Sequence, residues 1–247
     1  MCIESDQDLQ GLLHIGRVVG LTLQEMQARL RPGMTTKQLD MIGWKVLQQH
    51  GARPAPFLTY QFPGVTCISV NDEAAHGIPG KRIIRPGDVV KIDVSAELNG
   101  YFADAAITVL VPPVAPAHEK LYSCAKAAFV AATAAAYTHN AVNELGCAIE
   151  TTTRRYGYHI IRELPGHGVG RALHEWPSVP TFYRRTARER LREGLVITIE
   201  PHVALGSGRI VTGADGWTLT TQDGSVAAAY EHTVVVTKDG PILTTAL

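Results

Sequence analysis

Apolar residues return at three- and four-residue steps through the first thirty positions, at Leu9, Leu12, Val19, Leu23, Met26 and Leu30. That spacing lines one side of an amphipathic helix, and Arg31-Pro32-Gly33 ends it. Thr35, followed three residues later by Gln38, reads as a capping box. It predicts a second helix carrying Leu39, Ile42 and Val46 as far as His50. Pro116 suits the first turn of a third helix running to Tyr137, and a fourth is expected over Val142 to Tyr156. Between and after these helices the pattern turns to β-rich runs at 66–70, 88–111, 195–204 and 228–237. Helices and hairpins in alternating blocks predict an α+β fold. No break in composition marks a linker, so residues 1–247 read as a single domain.

The run from Asp88 to Val111 implies its own register. Asn99-Gly100 is the preferred two-residue type I′ hairpin turn. With it as the loop, Leu98 pairs with Tyr101, Val94 with Ala105, Ile92 with Ile107 and Val90 with Val109, which makes one face apolar. The other face sets Asp93 opposite Ala106 and Ser95 opposite Asp104. The two aspartates are then diagonal neighbours, roughly 7–8 Å apart at the backbone. Carboxylates that converge repel each other unless a cation or a proton intervenes. Acids also line the solvated face of ordinary hairpins, so this pair alone does not decide.

Other acids add weight. Glu200 ends the apolar run Leu195-Val-Ile-Thr-Ile, and Glu231 opens the run ending in Val-Val-Val-Thr237. A carboxylate buried beside such strands is costly unless it is paired or bound to metal. His167, between Gly166 and Gly168, adds an imidazole to the four carboxylates. Hard oxygen donors with one nitrogen suit Mn, Fe, Co or Zn, and four negative charges suit two divalent ions. The segment from Arg85 to Asp93 also echoes that from Arg192 to Glu200, and a His-Gly pair precedes each, at His76-Gly77 and His167-Gly168. Chance similarity and a duplicated half both account for this.

Charge and cysteine content narrow the classes. Lys plus Arg and Asp plus Glu are each 23, and the zero net charge gives a nucleic-acid or anionic-membrane partner no support. Four scattered cysteines form neither a disulfide framework nor a CxxC zinc motif. The N-terminus lacks signal-peptide character, and the longest weakly polar stretch, 125–137, is too short to span a bilayer. A reduced, cytoplasmic protein is expected.

The ordered set Asp93, Asp104, His167 in Gly-His-Gly-Val-Gly, Glu200 in Thr-Ile-Glu-Pro and Glu231 in Tyr-Glu-His-Thr resembles the type I methionine aminopeptidases. The similarity covers nearly the whole chain, including Cys67 to Pro79 and Gly170 to His174. It implies the pita-bread fold, a pseudo-twofold arrangement with a central antiparallel sheet flanked by helices, which would explain the echo. It also implies a hydrolase that removes N-terminal methionine when the second residue is small. In that reading Asp93 and Asp104 bind one of two divalent ions and His167 and Glu200 the other, with Asp104 and Glu231 bridging. A water activated between the ions attacks the first peptide carbonyl, and Glu200 passes its proton to the leaving amine. His76 and His174 correspond to substrate-binding histidines, while Phe62, Cys67, His76 and Trp217 fit an apolar pocket for the methionine side chain. The partners implied are a peptide or nascent-chain N-terminus and a transient ribosome contact, without specific nucleic-acid or membrane binding. A monomer without an added ribosome-docking module is expected.

Some positions depart from the resemblance. Pro56, Thr59, Leu173 and Ala229 bear on how strictly methionine is preferred, and His202 stands where methionine is more usual. His202 is then either a polar group added near the site or inert. His232, next to Glu231 on a strand, should face away from it. The arginines between Arg184 and Arg192 read as a solvated loop. An X-Pro peptidase and a non-catalytic binding protein are the alternatives. The first carries an extra N-terminal domain for which this chain is too short, and the second should have lost ligands.

Overall fold

The computed structural model describes residues 1–246. Helix α1 spans Asp6–Arg29 and α2 spans Thr36–Gln49. Ser5 caps α1 by accepting from the Asp8 N–H, and Thr35 and Gln38 cap α2 reciprocally, as their spacing predicts. A short helix absent from the sequence expectation, α3, covers Ala55–Tyr60. Helix α4 spans Pro116–Thr133 and α5 spans Val142–Tyr156. The expected end of α4 at Tyr137 is corrected to Thr133. Its apolar pattern continues, but the Asn140 side chain donates to the Ala135 carbonyl and Tyr137 bridges to Thr237, which draws the chain out of the helix.

Fifteen strands among the described residues complete the fold. They are β1 (Arg53–Pro54), β2 (Cys67–Val70), β3 (Glu73–Ala75), β4 (Val89–Leu98), β5 (Tyr101–Leu110), β6 (His159–Ile160), β7 (Gly166–Gly168) and β8 (Glu175–Val179). The remainder are β9 (Val196–Ile199), β10 (His202–Ala204), β11 (Ile210–Thr212), β12 (Leu219–Thr221), β13 (Ala227–Ala229), β14 (Glu231–Val235) and β15 (Ile242–Leu243). Nine of them form an antiparallel sheet in the order β1-β4-β5-β14-β9-β7-β8, with β2 also on β4 and β15 on β14. The β4–β5 hairpin has the register expected from Asn99-Gly100, including Leu98 with Tyr101, Asp93 with Ala106 and Ser95 with Asp104.

The sheet is pseudo-symmetric about the seam between β5 and β14. Outward from that seam run β5, β4 and β2 on one side, and β14, β9 and β7 on the other. The echoing segments are therefore equivalent, with Asp93 on β4 and Glu200 just past β9. Each half buries its apolar face under its own helices. Leu12, Ile15, Val19 and Met26 of α1 and Leu39 and Leu47 of α2 share one core with Ile92 and Val94. Leu121 and Phe129 of α4 and Leu145 and Ile149 of α5 share the other with Ile197, Ile199 and Val234. With the alternate residues of β4, β9 and β14 packed on helices, the intervening acids share the opposite face. Among the described residues no helix is long and apolar enough to cross a membrane, and all four cysteines are free.

Candidate metal centre

Strand pairing brings the carboxylates together. Asp93 pairs with Cys67 on one side and with Ala106 on the other, and Ala106 pairs in turn with Glu231. These residues form one row across four strands, with the alanine methyl leaving room between two acids. Asp104 lies two residues along β5 from Ala106 on the same face. Its strand is fixed to β14 because its N–H donates to Thr233 Oγ1 at 2.9 Å and the Thr233 hydroxyl donates to its carbonyl at 2.8 Å. Glu200 continues β9 one residue past Ile199, which pairs with His232, and its carboxyl reaches that of Glu231.

His167 arrives from β7 between two glycines that cannot be replaced without a clash. A Cβ on Gly166 would lie 2.5 Å from the Thr198 carbonyl oxygen, and one on Gly168 would lie 2.3 Å from that of Trp176. The His167 N–H donates to Thr198 Oγ1 at 3.0 Å. Its ring Nδ1 lies 2.9 Å from the Gly168 carbonyl, which can only accept, so Nδ1 carries the proton. Nε2 is left with its lone pair, 3.5 Å from Glu200 Oε1 and 3.9 Å from Asp104 Oδ2. Ligand atoms of Asp104, His167 and Glu231 all lie within 4.8 Å of one another.

The electrostatics are those of a cluster short of positive charge. Burial and the neighbouring acids push Asp104 and Glu231 well above the ordinary carboxylate range, and burial with Glu200 nearby takes Asp93 up to about 6. Burial raises Glu200 as well, but the hydrogen bond from His202 and the proximity of His167 outweigh it and hold Glu200 below its ordinary value. Asp104 Oδ1 is buried with no hydrogen-bond partner among the described residues. An orphaned carboxylate oxygen, converging like charges and an imidazole presenting a free lone pair together fit a divalent ion.

These groups sit in a cavity of about 340 Å³. Its lining includes Asp93, Asp104, His167, Glu200 and Glu231, together with His76, His174, Phe62, Cys67 and Trp217. The ten residues read from the sequence as ligands or substrate contacts therefore all line one cavity. Phe62 and Trp217 meet edge to face with centroids 5.3 Å apart, and burial among the acids pushes the Cys67 thiol up, keeping it neutral. His76 holds a left-handed φ of 54°. Partial burial and the adjacent His167 bring His174 down to about 4.

Pro56 and Leu173 line the cavity, whereas Thr59 and Ala229 do not. The Thr59 side chain is exposed, and its neighbour Tyr60 lines the cavity. Ala229 is buried opposite His202 in the β10–β13 pair. His202 is a polar group placed beside the site. It is buried with Nε2 3.3 Å from Glu200 Oε2. His232 faces away from Glu231, as strand alternation predicts, packing on Phe129 with its Nδ1 2.8 Å from Thr245 Oγ1.

Sequence reasoning missed two contributors. Thr198 donates to Glu200 Oε1 at 2.7 Å while accepting from His167, and its position two before Glu200 on an alternating strand was the available signal. Tyr60 reaches His174 from α3, for which the sequence held no such signal.

The sequence profile described as metallopeptidase family M24 matches residues 10–238. The chain is similar to methionine aminopeptidase 2 of Bacillus subtilis strain 168, with 44% identity over 249 residues covering all of both chains. It is 39% identical to the methionine aminopeptidase of Aquifex aeolicus over 258 residues, again covering all of both. The crystal structure of methionine aminopeptidase from Thermotoga maritima superposes with a TM-score of 0.96 at 31% identity and full mutual coverage. Prolidase from Pyrococcus furiosus shares the fold at a TM-score of 0.80 and 23% identity, with this chain covering 66% of its length. Full-length identity and an acid-lined metal cavity agree, and the chain belongs to metallopeptidase family M24, on its methionine aminopeptidase branch.

Proposed function

We propose that this protein uses divalent metal to hydrolyse the first peptide bond of peptides and proteins that begin with methionine followed by a small residue. The observation that carries this reading is full-length identity to methionine aminopeptidases. Asp93, Asp104, His167, Glu200 and Glu231 would hold the metal, and four carboxylates favour two ions over one. Bound ions would supply Lewis acidity and bring the pKa of a water toward neutrality. Glu200 is the proton carrier of this reading. Thr198 and His202 hold its two oxygens, so its carboxylate can take a proton on one side and deliver it to the leaving amine without swinging away. His76 and His174, on the cavity wall, hold the first peptide group. Phe62, Cys67 and Trp217 receive the methionine side chain, whose polarizable sulfur suits an apolar, aromatic-lined slot.

Competition among equimolar Xaa-Ala-Ser peptides with Mn²⁺ or Co²⁺ present tests the reading. Methionine should be released well ahead of other residues, although Pro56 and Leu173 in the cavity wall reshape the slot. Equal release of many residues, or cleavage confined to bonds before proline, would overturn it. In the same assay His174→Ala should lower kcat by at least about tenfold, because it removes a donor aimed at the reacting carbonyl. Its metal content should not change. An unaltered kcat would remove His174 from the chemistry.

A further inference from the structure

The chain positions His174 from two sides. On its backbone side, the Glu175 carboxylate accepts N–H bonds from Arg171 at 2.5 Å and Ala172 at 2.7 Å, which tightens the turn leading into the histidine. On its ring side stands Tyr60, the last residue of α3. Gln61 follows it with a left-handed φ of 60°, and this turn carries the chain away while the phenol stays at the cavity mouth. Tyr60 Oη lies 2.7 Å from His174 Nδ1, with ring centroids 5.4 Å apart. Among the described residues, this is the one hydrogen bond that the ring makes.

The direction of that bond follows from chemistry. A phenol donates readily and accepts poorly, whereas the bare nitrogen of a neutral imidazole is a good acceptor. The Tyr60 proton therefore points at Nδ1. The one proton of a neutral His174 must then sit on Nε2, the nitrogen on the far side of the ring from Tyr60. Without the phenol no hydrogen bond among the described residues chooses between the two tautomers, and the Nδ1–H form offers a substrate carbonyl no donor from Nε2.

We propose that Tyr60 is a positioning residue, holding His174 as the Nε2–H tautomer and fixing its ring so that this N–H is offered to the substrate. The inference rests on the reading of His174 as a substrate-binding group, and Tyr60 itself acts only through it. Tyr60→Phe is the test, and the fold should tolerate it because Tyr60 is 46% exposed. Long-range ¹H–¹⁵N spectra of the chelated protein report the tautomer of each histidine, with the His174 signal assigned by its loss in His174→Ala. Unaltered protein should show the Nε2–H signature, and Tyr60→Phe should show an average of both forms. With metal restored and Met-Ala-Ser as substrate, Tyr60→Phe should lower kcat on the order of tenfold while KM moves by less than about twofold. An unchanged tautomer signature or an unchanged kcat overturns the proposal. Failure of the unaltered protein to release methionine would instead sink the aminopeptidase reading, and the spectra would still decide whether Tyr60 sets the tautomer.

Discussion

Asp104→Asn is expected to cost at least about a thousandfold in methionine release, equivalent to about 4 kcal/mol of lost transition-state stabilisation. The substitution removes a carboxylate that meets His167 and Glu231 within 4.8 Å and carries the orphaned oxygen of the cluster. An amide keeps the volume and one acceptor but binds a divalent ion weakly. The strand should not shift, because Thr233 holds the backbone of residue 104 through both its N–H and its carbonyl. Metal analysis after gel filtration should show depleted ion content. Thermal melts in chelator should show no loss of stability, because the change relieves repulsion in a cluster where burial and the acids already disfavour the charged form. Full metal content together with full turnover would show that Asp104 is not a ligand.

Removing the metal from the unaltered protein should destabilise it, and by more at higher pH. Asp93, Asp104 and Glu231 have raised pKa values in the folded, metal-free state, Asp93 at about 6. Groups raised in this way contribute stability that is fully present below their unfolded values near 4, and it is lost as pH rises through the folded values. Other groups run the opposite way. His174 and His232 are lowered to about 4, so their contribution grows between pH 4 and 6.5, and Lys91, lowered to about 7, favours the fold at alkaline pH. The difference between loaded and chelated protein therefore reports the groups that bound metal would touch, the raised carboxylates first among them. The stability gap, read as a difference in Tm, should widen from pH 5.5 to 7.5, its free energy growing by up to about 1.4 kcal/mol per pH unit for each proton that metal binding displaces. A gap that stays constant or narrows over that range would mean that the ions do not displace these protons.

Local chemistry made much of the scaffold legible. Asn99-Gly100 fixed ten rungs of pairing because a two-residue loop leaves one register, and Thr35 with Gln38 marked a helix start to the residue. Helix α3 escaped because six residues are under two turns, too few for a periodicity to stand out. The end of α4 escaped because it is set by Tyr137 meeting Thr237, a hundred residues away along the chain. At the site, Asp93 and Asp104 could be placed on one face by alternation alone. Their meeting with His167, Glu200 and Glu231 depends on the β5–β14 seam, which no local pattern encodes and which only the family resemblance supplied. His202 shows the difference well. As a sequence letter it was an unexplained departure, whereas in space it is a buried donor beside the proposed proton carrier.

The Asp93–Ala106–Glu231 row turns the ladder of peptide hydrogen bonds into a ruler. Adjacent strands lie about 4.8 Å apart, so the two acid-bearing backbones stand roughly 9.6 Å from each other whatever their side chains do. The distance that metal held between them would bridge is thus built into peptide geometry rather than left to rotamers. Any slip between β5 and β14 would move by whole residues, and a slip of one would turn Glu231 toward the helices and His232 into the cavity. Substrate selection can drift in the loops and α3 around the rim, while the spacing of the reactive centre stays as rigid as the main chain that sets it.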